Sequence, residues 1–327
     1  MKKLLTIAAA GAAIAIALSG CAAGGGSSSS GPKDAKDIVV GFAQVGAESG
    51  WRTANTKDIK SSFKDAGIQL KFSDAQQKQE NQIKAIRSYI QQRVDVIAFS
   101  PVVESGWDTV LKEAKAAKIP VVLTDRAVDS KDTSLYVTFL GSDFVKEGKE
   151  AGDWAVNEYK DATDTVPIIQ LEGTTGSAPA LDRTSGFADA IAANPKLKIV
   201  ASQTGDFTRS GGKQVMEALL KSHPEVKLVW AQNDDMGLGA IEAIEAAGKV
   251  PGKDIKIITA DATHDGLQAA ADGKINFVVE CNPLMGKQLI EIVKKITAGD
   301  SLPKRIVTDE TTFTSAQAKE ALPTRKY

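Results

Sequence analysis

From Ile38 onward the chain alternates short runs of apolar residues with longer stretches in which apolar positions recur every three or four residues. The apolar runs of the first half predict strands at 38–43, 68–73, 94–100 and 119–124. The stretches between them have the helical period and predict helices at 51–66, 78–91 and 106–117. Apolar strands flanked by helices of this length are typical of a parallel sheet covered on both faces.

The same alternation continues through the second half of the chain. It predicts five further strands, at 166–172, 197–203, 226–232, 255–261 and 275–280. It also predicts helices near 142–159, 178–193, 209–222, 234–247, 264–272 and 284–298. The pattern as a whole therefore indicates an α/β fold made of two doubly wound parallel-sheet lobes of similar size.

Ligands of doubly wound sheets bind beyond the carboxyl ends of the strands, so the residues that follow each strand are candidates for a site. The first predicted lobe offers a Trp–Arg pair and an Asp–Arg pair, and the second offers an Arg, a Phe, an Asn and an Asp. These residues are Trp51, Arg52, Asp125, Arg126, Arg183, Phe207, Asn233 and Asp261. Because both lobes contribute, the geometry predicts a cleft between them.

Composition and charge exclude several classes of partner. The 327 residues are 25% charged and 43% hydrophobic with a formal net charge of −1, which gives no basis for binding nucleic acid or an anionic surface. The chain lacks G-x-G-x-x-G after its first strand and G-x-x-x-x-G-K-[ST] throughout, and it has two His and two Cys. We therefore expect no cofactor and no metal.

The candidate residues suit a neutral, polyhydroxylated ligand such as a sugar. Carboxylates and amides can accept or exchange hydrogen bonds with hydroxyls, and a guanidinium offers a planar fork of donors. Trp51 and Phe207 can cover the C–H faces of a ring. Structural alternatives remain open: Trp51 packed beneath its own helix, Arg52 on the surface, Asp125–Arg126 as a local ion pair, and Asp234 only as a helix cap.

The N-terminal stretch MKKLLTIAAAGAAIAIALSGC resembles a bacterial lipoprotein signal whose LSGC box ends in Cys21. The resemblance implies a signal peptide over 1–20, cleavage before Cys21 and a lipid on its sulfur. The following AAGGGSSSSGP predicts a flexible tether over 21–36. We therefore expect an extracytoplasmic protein that is anchored to the cell membrane through Cys21.

Several motifs together resemble the sugar-binding proteins of bacterial ABC importers. They are GFAQVGAESGWR, QQKQENQIKAIRS, SPVVESGWDTVLKEA, DFTRS and NDDMGLGAIEAI. The resemblance covers 37–327, lies in the ribose/galactose-binding group (periplasmic binding protein type 1), and is strongest to galactofuranose binders. It implies a three-crossover hinge near Ser142, Asn282 and Asp309. The N-terminal lobe would then be 37–141 plus 282–309, and the C-terminal lobe 142–281 plus 310–327.

The resemblance also implies the ligand contacts, which are Ser49, Trp51, Arg52, Asp125, Arg126, Arg183, Phe207, Asn233 and Asp261. Alanine at Trp51 or Arg183 is expected to abolish binding and to leave the fold intact. Many relatives carry Gln where this chain has Cys281, and a thiol cannot replace a two-ended amide. This departure counts against plain ribose, and the hydroxyl concerned would be met by Asn282 or not at all. Cys281 itself is expected to be a buried small hydrophobe.

These observations predict a monomeric receptor that captures a monosaccharide by hinge closure and presents it to an ABC permease. One alternative is a receptor for a sugar-like signal molecule that feeds a sensor. A second and less favoured alternative is a secreted sugar-acting enzyme that uses Asp125 and Asp261 as its carboxylate pair. A transcription regulator of the same fold would need a helix-turn-helix module where this chain has an export signal.

Overall fold

Two six-stranded sheets organise residues 33–327, the part of the chain that the computed structural model describes. The predicted signal peptide and Cys21 lie outside these residues. With elements numbered along the chain, the first sheet contains β1 (Val39–Gln44), β2 (Gln69–Asp74), β3 (Val96–Phe99), β4 (Val121–Thr124), β5 (Thr138–Gly141) and β11 (Arg305–Val307). The second contains β6 (Val166–Glu172), β7 (Leu197–Thr204), β8 (Leu228–Ala231), β9 (Lys256–Asp261), β10 (Phe277–Glu280) and β12 (Thr312–Thr314).

Ten α-helices connect these strands in the described part of the chain. They are α1 (Gly50–Ala66), α2 (Gln79–Gln91), α3 (Asp108–Ala116), α4 (Phe144–Glu158), α5 (Ala178–Ile191), α6 (Arg209–Ser222), α7 (Asp234–Ala246), α8 (His264–Ala271), α9 (Gly286–Ala298) and α10 (Ser315–Ala321). None of these helices is long and apolar enough to cross a bilayer.

The two sheets have the same strand order. The first runs β2-β1-β3-β4-β5-β11 and the second β7-β6-β8-β9-β10-β12. All pairs are parallel except β10 with β12, which is antiparallel. In each sheet the order reverses beside its first strand in sequence, β1 or β6, which is where such folds place their ligands. The predicted fold class, two doubly wound lobes, is confirmed.

The burial of the strands explains why apolar runs and helical stretches alternate so clearly in the sequence. On β1, Val40 and Phe42 are fully buried against a cluster that includes α1 and α9, and Ala43 faces the cluster under α2 and α3. The second sheet is covered on both faces in the same way. Strands buried on both faces become continuous apolar runs.

The chain passes between the two sheets three times: after β5, between β10 and β11, and between β11 and β12. These crossings lie side by side. Ser142 Oγ stands 3.3 Å from both Cys281 Sγ and Thr308 Oγ1, and the backbone N–H of Asn282 donates to Glu310 Oε1 at 2.9 Å. The crossings therefore form one connected bundle of polar contacts.

Candidate ligand-binding site

A cavity of about 280 Å³ lies between the two lobes, at the carboxyl ends of their strands. This volume counts all the space between the lining atoms, including space open to solvent. The structure brings all nine predicted contact residues to its wall, and it adds Glu48, Phe144, Pro179 and Cys281. The nine are Ser49, Trp51, Arg52, Asp125, Arg126, Arg183, Phe207, Asn233 and Asp261.

The start of α1 presents the first group of these residues. Ser49 is the N-cap of the helix, and its side chain accepts a hydrogen bond from the backbone N–H of Arg52. This cap sets the direction of the first turn and places Trp51 and Arg52 at the cavity. Trp51 Nε1 donates to the backbone oxygen of Cys281 at 2.6 Å, so its ring is held in place. The Arg52 guanidinium lies 4.6 Å from the Trp51 ring centroid.

Arg52 is buried and fully engaged with acceptors of its own lobe. It donates to Glu48 Oε1 at 3.0 Å, to Gln44 Oε1 at 3.2 Å and to Asp125 Oδ2 at 2.6 Å. Burial lowers the pKa of Arg52, but the neighbouring Asp125 and Glu48 raise it by more. The net shift is upward, so Arg52 keeps its charge. Since Arg52 is 2% exposed, the alternative of a surface arginine is wrong.

Arg126 has more capacity left for a ligand than Arg52. Its Nη1 donates to the backbone oxygen of Val102 at 3.0 Å, while its Nε stays 3.7 Å from Asp125 Oδ2 and has no hydrogen-bond partner among residues 33–327. Burial and the neighbouring Arg52 lower the pKa of Arg126 to about 10, which still leaves it charged at neutral pH. Its guanidinium lies 5.4 Å from the ring centroid of Phe207, across the cleft.

Arg183 is the corresponding guanidinium of the second lobe. It projects from α5 and donates to Glu147 Oε2 at 2.6 Å and to the backbone oxygen of Gln232 at 2.5 Å. Its Nη2 stands 3.8 Å from Asp261 Oδ1. Burial raises the pKa of Asp261 well above its usual range, and the Arg183 charge opposes that shift. Arg183 therefore contacts the carboxyl groups of Glu147 and Asp261 and faces the cavity.

Asn233 is the N-cap of α7. Its Oδ1 accepts from the backbone N–H of Met236 at 2.9 Å, and its Nδ2 donates to the backbone oxygen of Phe207 at 3.0 Å. The expectation that Asp234 could be the cap is wrong. Asp234 instead accepts from Thr259 and Thr263 inside the lobe, which joins α7 to the loop after β9.

Three residues of the site have backbone conformations that few non-glycine residues adopt. The φ angles of Asp125, Phe207 and Asp261 are 61°, 60° and 114°. Strained backbone of this kind is concentrated at ligand sites, where the surrounding structure holds it. Gly173 makes room for Phe207, because a Cβ at Gly173 would lie 1.8 Å from the Phe207 ring.

The ionisable side chains on the cavity wall balance in number. Three arginines, Arg52, Arg126 and Arg183, face three carboxylates, Glu48, Asp125 and Asp261. When Asp261 is ionised beside Arg183, a wall of this kind has no excess charge to stabilise an ionic ligand. In the described structure, Glu48 Oε2 and Arg126 Nε are buried and lack partners, and such atoms are costly unless a ligand or water completes them.

Cys281, on the cavity wall, lies beside two glutamates near the crossings. Cys281 is buried, and burial, followed by Glu147, raises the pKa of its thiol, as expected of an unreactive cysteine. Glu147, Cys281 and Glu310 offer ligand atoms within 4.8 Å of one another. Arg183 already donates to one oxygen of Glu147, and Ser142 donates to Glu310, so these three residues form a poor metal site. The absence of a metal remains a prediction. Asn282 is not on the cavity wall.

Sequence reasoning missed Glu48 and Glu147. Glu48 directly precedes the N-cap Ser49 in the segment that follows β1. Inspection of all residues after that strand could therefore have found it. Glu147 is one of several charged residues on α4, and only its burial distinguishes it from the half-exposed Glu150. No pattern in the sequence marks that difference.

Two lobes that enclose a small, charge-balanced cavity of polar and aromatic groups define a protein that binds a ligand between its domains. The chain belongs to the periplasmic binding protein domain family, whose model matches residues 40–301. The family predicted from the motifs is therefore confirmed. The similar proteins of this family are binding proteins, which also confirms the prediction that the chain is not an enzyme.

Three relatives are similar over most of the chain. The galactofuranose-binding protein YtfQ of Escherichia coli K12 is 47% identical over 296 residues, which cover 89% of this chain and 92% of YtfQ. A Mycobacterium smegmatis crystal structure in complex with β-D-fucofuranose is 66% identical, covers 89% of this chain and 95% of its own, and has a TM-score of 0.88. The periplasmic component of an arabinose ABC transporter of Shewanella sp. ANA-3, bound to α- and β-L-arabinofuranose, is 46% identical, covers 88% and 96%, and has a TM-score of 0.85.

Proposed function

We propose that this chain is the solute-binding protein of an ABC importer and that it captures a neutral monosaccharide in its furanose form. The observation that carries the proposal is the cavity wall, in which three arginines balance three carboxylates and unpaired polar atoms remain. Such a wall favours an uncharged ligand with several hydroxyls. Trp51 and Phe207 would cover the C–H faces of the sugar ring.

The relatives support the five-membered ring. Galactofuranose, fucofuranose and arabinofuranose appear in the names of three similar proteins, and the last of these is a component of an ABC transporter. The small volume of the cavity suits one monosaccharide rather than an oligosaccharide. Galactofuranose or a close analogue is therefore the proposed ligand, and an ABC permease the proposed partner of a monomeric receptor.

We infer that the three crossings act as the hinge, with lobes of 37–141 plus 282–309 and 142–281 plus 310–327. The nine predicted contact residues would then approach the sugar from both lobes when the hinge closes. A lipid on Cys21 would hold the receptor on the extracytoplasmic face of the membrane. Metabolic labelling with a radioactive fatty acid should mark the wild-type chain and leave Cys21→Ala unlabelled.

Two ring-locked sugars test the proposal most sharply. 1,4-Anhydro-D-galactitol holds the five-membered ring and 1,5-anhydro-D-galactitol the six-membered ring, and both lack the anomeric hydroxyl. Calorimetry on the full chain in detergent should give at least about tenfold tighter binding of the 1,4-compound, because the wrong ring leaves buried polar groups unpaired.

D-galactose, D-fucose and L-arabinose complete the panel, and myo-inositol is the six-membered control. Equal affinity for both locked rings would contradict the furanose assignment. Absence of heat with every member of the panel would contradict sugar binding altogether.

A further inference from the structure

The two lobes meet outside the cavity as well, at the mouth of the cleft. Asp235, on the first turn of α7 in the second lobe, accepts a hydrogen bond at 2.8 Å from the backbone N–H of Gly50. Gly50 is the first residue of α1 in the first lobe. Asp235 is not on the cavity wall, so this contact connects the lobes without touching the proposed ligand.

The contact satisfies a donor that the first lobe leaves free. The first N–H groups of a helix have no partner inside it and carry partial positive charge. Ser49 caps the N–H of Arg52, and the N–H of Gly50 is left for a group from outside. In the second lobe, Asn233 already caps α7, so Asp235 is not required as the N-cap of its own helix.

We propose that Asp235 is a positioning residue for sugar capture: it caps α1 from the opposite lobe and thereby stabilises the closed form. We call this pair, Asp235 Oδ2 with Gly50 N–H, the cross-lobe cap. It forms only when the lobes are closed, whereas the contacts of Asp235 within α7 are the same in the open and closed forms. The inference rests on the proposed function, because a closed cleft matters for capture only if the sugar is bound there.

Removing the cap should lower the closed-to-open ratio of the free protein by a factor r. A hydrogen bond to a charged group, partly exposed here, makes r about ten. If the protein is mainly open, sugar affinity falls by r; if it is mainly closed, the open fraction rises by r instead. For any starting ratio, the fold rise in Kd multiplied by the fold rise in open fraction equals r.

Both factors can be measured on the full chain in detergent. Calorimetry with D-galactose gives Kd. The alkylation rate of Cys281 by iodoacetamide, read on its own peptide by mass spectrometry, gives the open fraction, because this thiol lies on the cavity wall and is 2% exposed in the closed form. Because only the peptide that contains Cys281 is quantified, alkylation of Cys21 does not affect the result.

Two substitutions remove the cap from opposite sides. Asp235→Ala deletes the acceptor. Gly50→Pro deletes the donor at the first helical position, where proline is favoured, and Ser49 at φ −144° and ψ 164° already has the conformation that precedes proline. Gly50→Ala is the matched control, because it keeps the N–H and its Cβ would stand 3.5 Å from Asp235 Oδ2.

A second control is Glu242→Gln on the same helix, where Glu242 pairs with Arg209 and Lys213 of its own lobe. We expect a product of about ten for Asp235→Ala, a product near one for both controls, and little further effect of Gly50→Pro once Asp235 is alanine.

Two outcomes would overturn the inference: a product within twofold of one for Asp235→Ala, or an undiminished effect of Gly50→Pro in the Asp235→Ala background. A wild-type chain that binds no sugar is a different result, since it contradicts the proposed function.

Discussion

Arg183 serves the cavity and the interior of its own lobe at the same time. Its guanidinium contacts Glu147, the backbone oxygen of Gln232 and, at 3.8 Å, Asp261. From the sequence, alanine at this position is expected to abolish binding and to leave the fold intact. The buried contacts revise the second half of that expectation, because removing the guanidinium leaves its buried acceptors without a donor.

Arg183→Ala should therefore abolish sugar binding and also lower the free energy of unfolding by about 1–3 kcal/mol, because Glu147 and the backbone oxygen of Gln232 lose their buried donor. Calorimetry and urea unfolding measure the two effects. Arg209→Ala is the control: this arginine forms an exposed pair with Glu242, and its loss should cost no more than about 1 kcal/mol. Unchanged affinity in Arg183→Ala would remove Arg183 from the site.

The raised pKa of Glu147 predicts that the stability of the fold depends on pH. Burial and Glu310 raise its pKa from an ordinary 4.5 to about 8, while Arg183 opposes the shift. The folded protein then binds more protons than the unfolded chain between these two pH values, so Glu147 lowers the free energy of unfolding as pH rises from about 4.5 to about 8. Measured relative to Glu147→Gln, wild type should lose stability across this window. A constant difference would show that Glu147 is ionised throughout.

The sequence predicted residues of the site where chemistry and position coincide. Trp51 and Arg52 stand beside each other directly after a strand, at the edge of the sheet where ligands of such folds bind. The backbone conformations of Asp125, Phe207 and Asp261 were out of reach, since φ angles of 61°, 60° and 114° are imposed by the surrounding fold rather than by these residue types.

At the scale of elements, helices α4 and α5 set the geometry of the second lobe's site. Glu147 lies on α4 and Arg183 on α5, and the two helices approach closely at Gly148. A Cβ at Gly148 would lie 2.3 Å from the backbone oxygen of Arg183, which is closer than real Cβ atoms come. The glycine is therefore needed for the close approach that joins Glu147 to Arg183.

Gly148→Ala should force the two helices apart and lower the free energy of unfolding by about 1–3 kcal/mol. Sugar affinity should fall with it, because the hydrogen bond from Arg183 to Glu147 is displaced. Lys146→Ala on the same helix removes an exposed side chain and should change stability by less than about 0.5 kcal/mol. Equal urea midpoints for wild type and Gly148→Ala would contradict the close packing.

The long elements were predictable and the short ones were not. Nine of the strands and nine of the helices come from apolar runs or helical periods in the sequence. Strands β5, β11 and β12 and helix α10 were missed. β11 and β12 have three residues each and pair at the edges of the sheets, so their sequences, RIV and TFT, contain no repeated pattern. Their position follows from tertiary contacts alone.

At the scale of the whole molecule, closure is what completes the site. Residues from both lobes surround the cavity, and the backbone N–H of Glu104 donates to the oxygen of Gly176 across the cleft at 2.9 Å. In an open form the carboxylates and guanidinium groups of each lobe would face water. A bound sugar that contacts both lobes therefore shifts the equilibrium toward the closed form.

The most direct measurement is a crystal structure of the chain grown with D-galactose. The account predicts density for a single five-membered ring inside the cavity, with its faces against Trp51 and Phe207 and its hydroxyls within hydrogen-bond distance of Arg126 and Asp261. A cavity that stays empty in the presence of the sugar, or one that holds a six-membered ring or an ion, would contradict it.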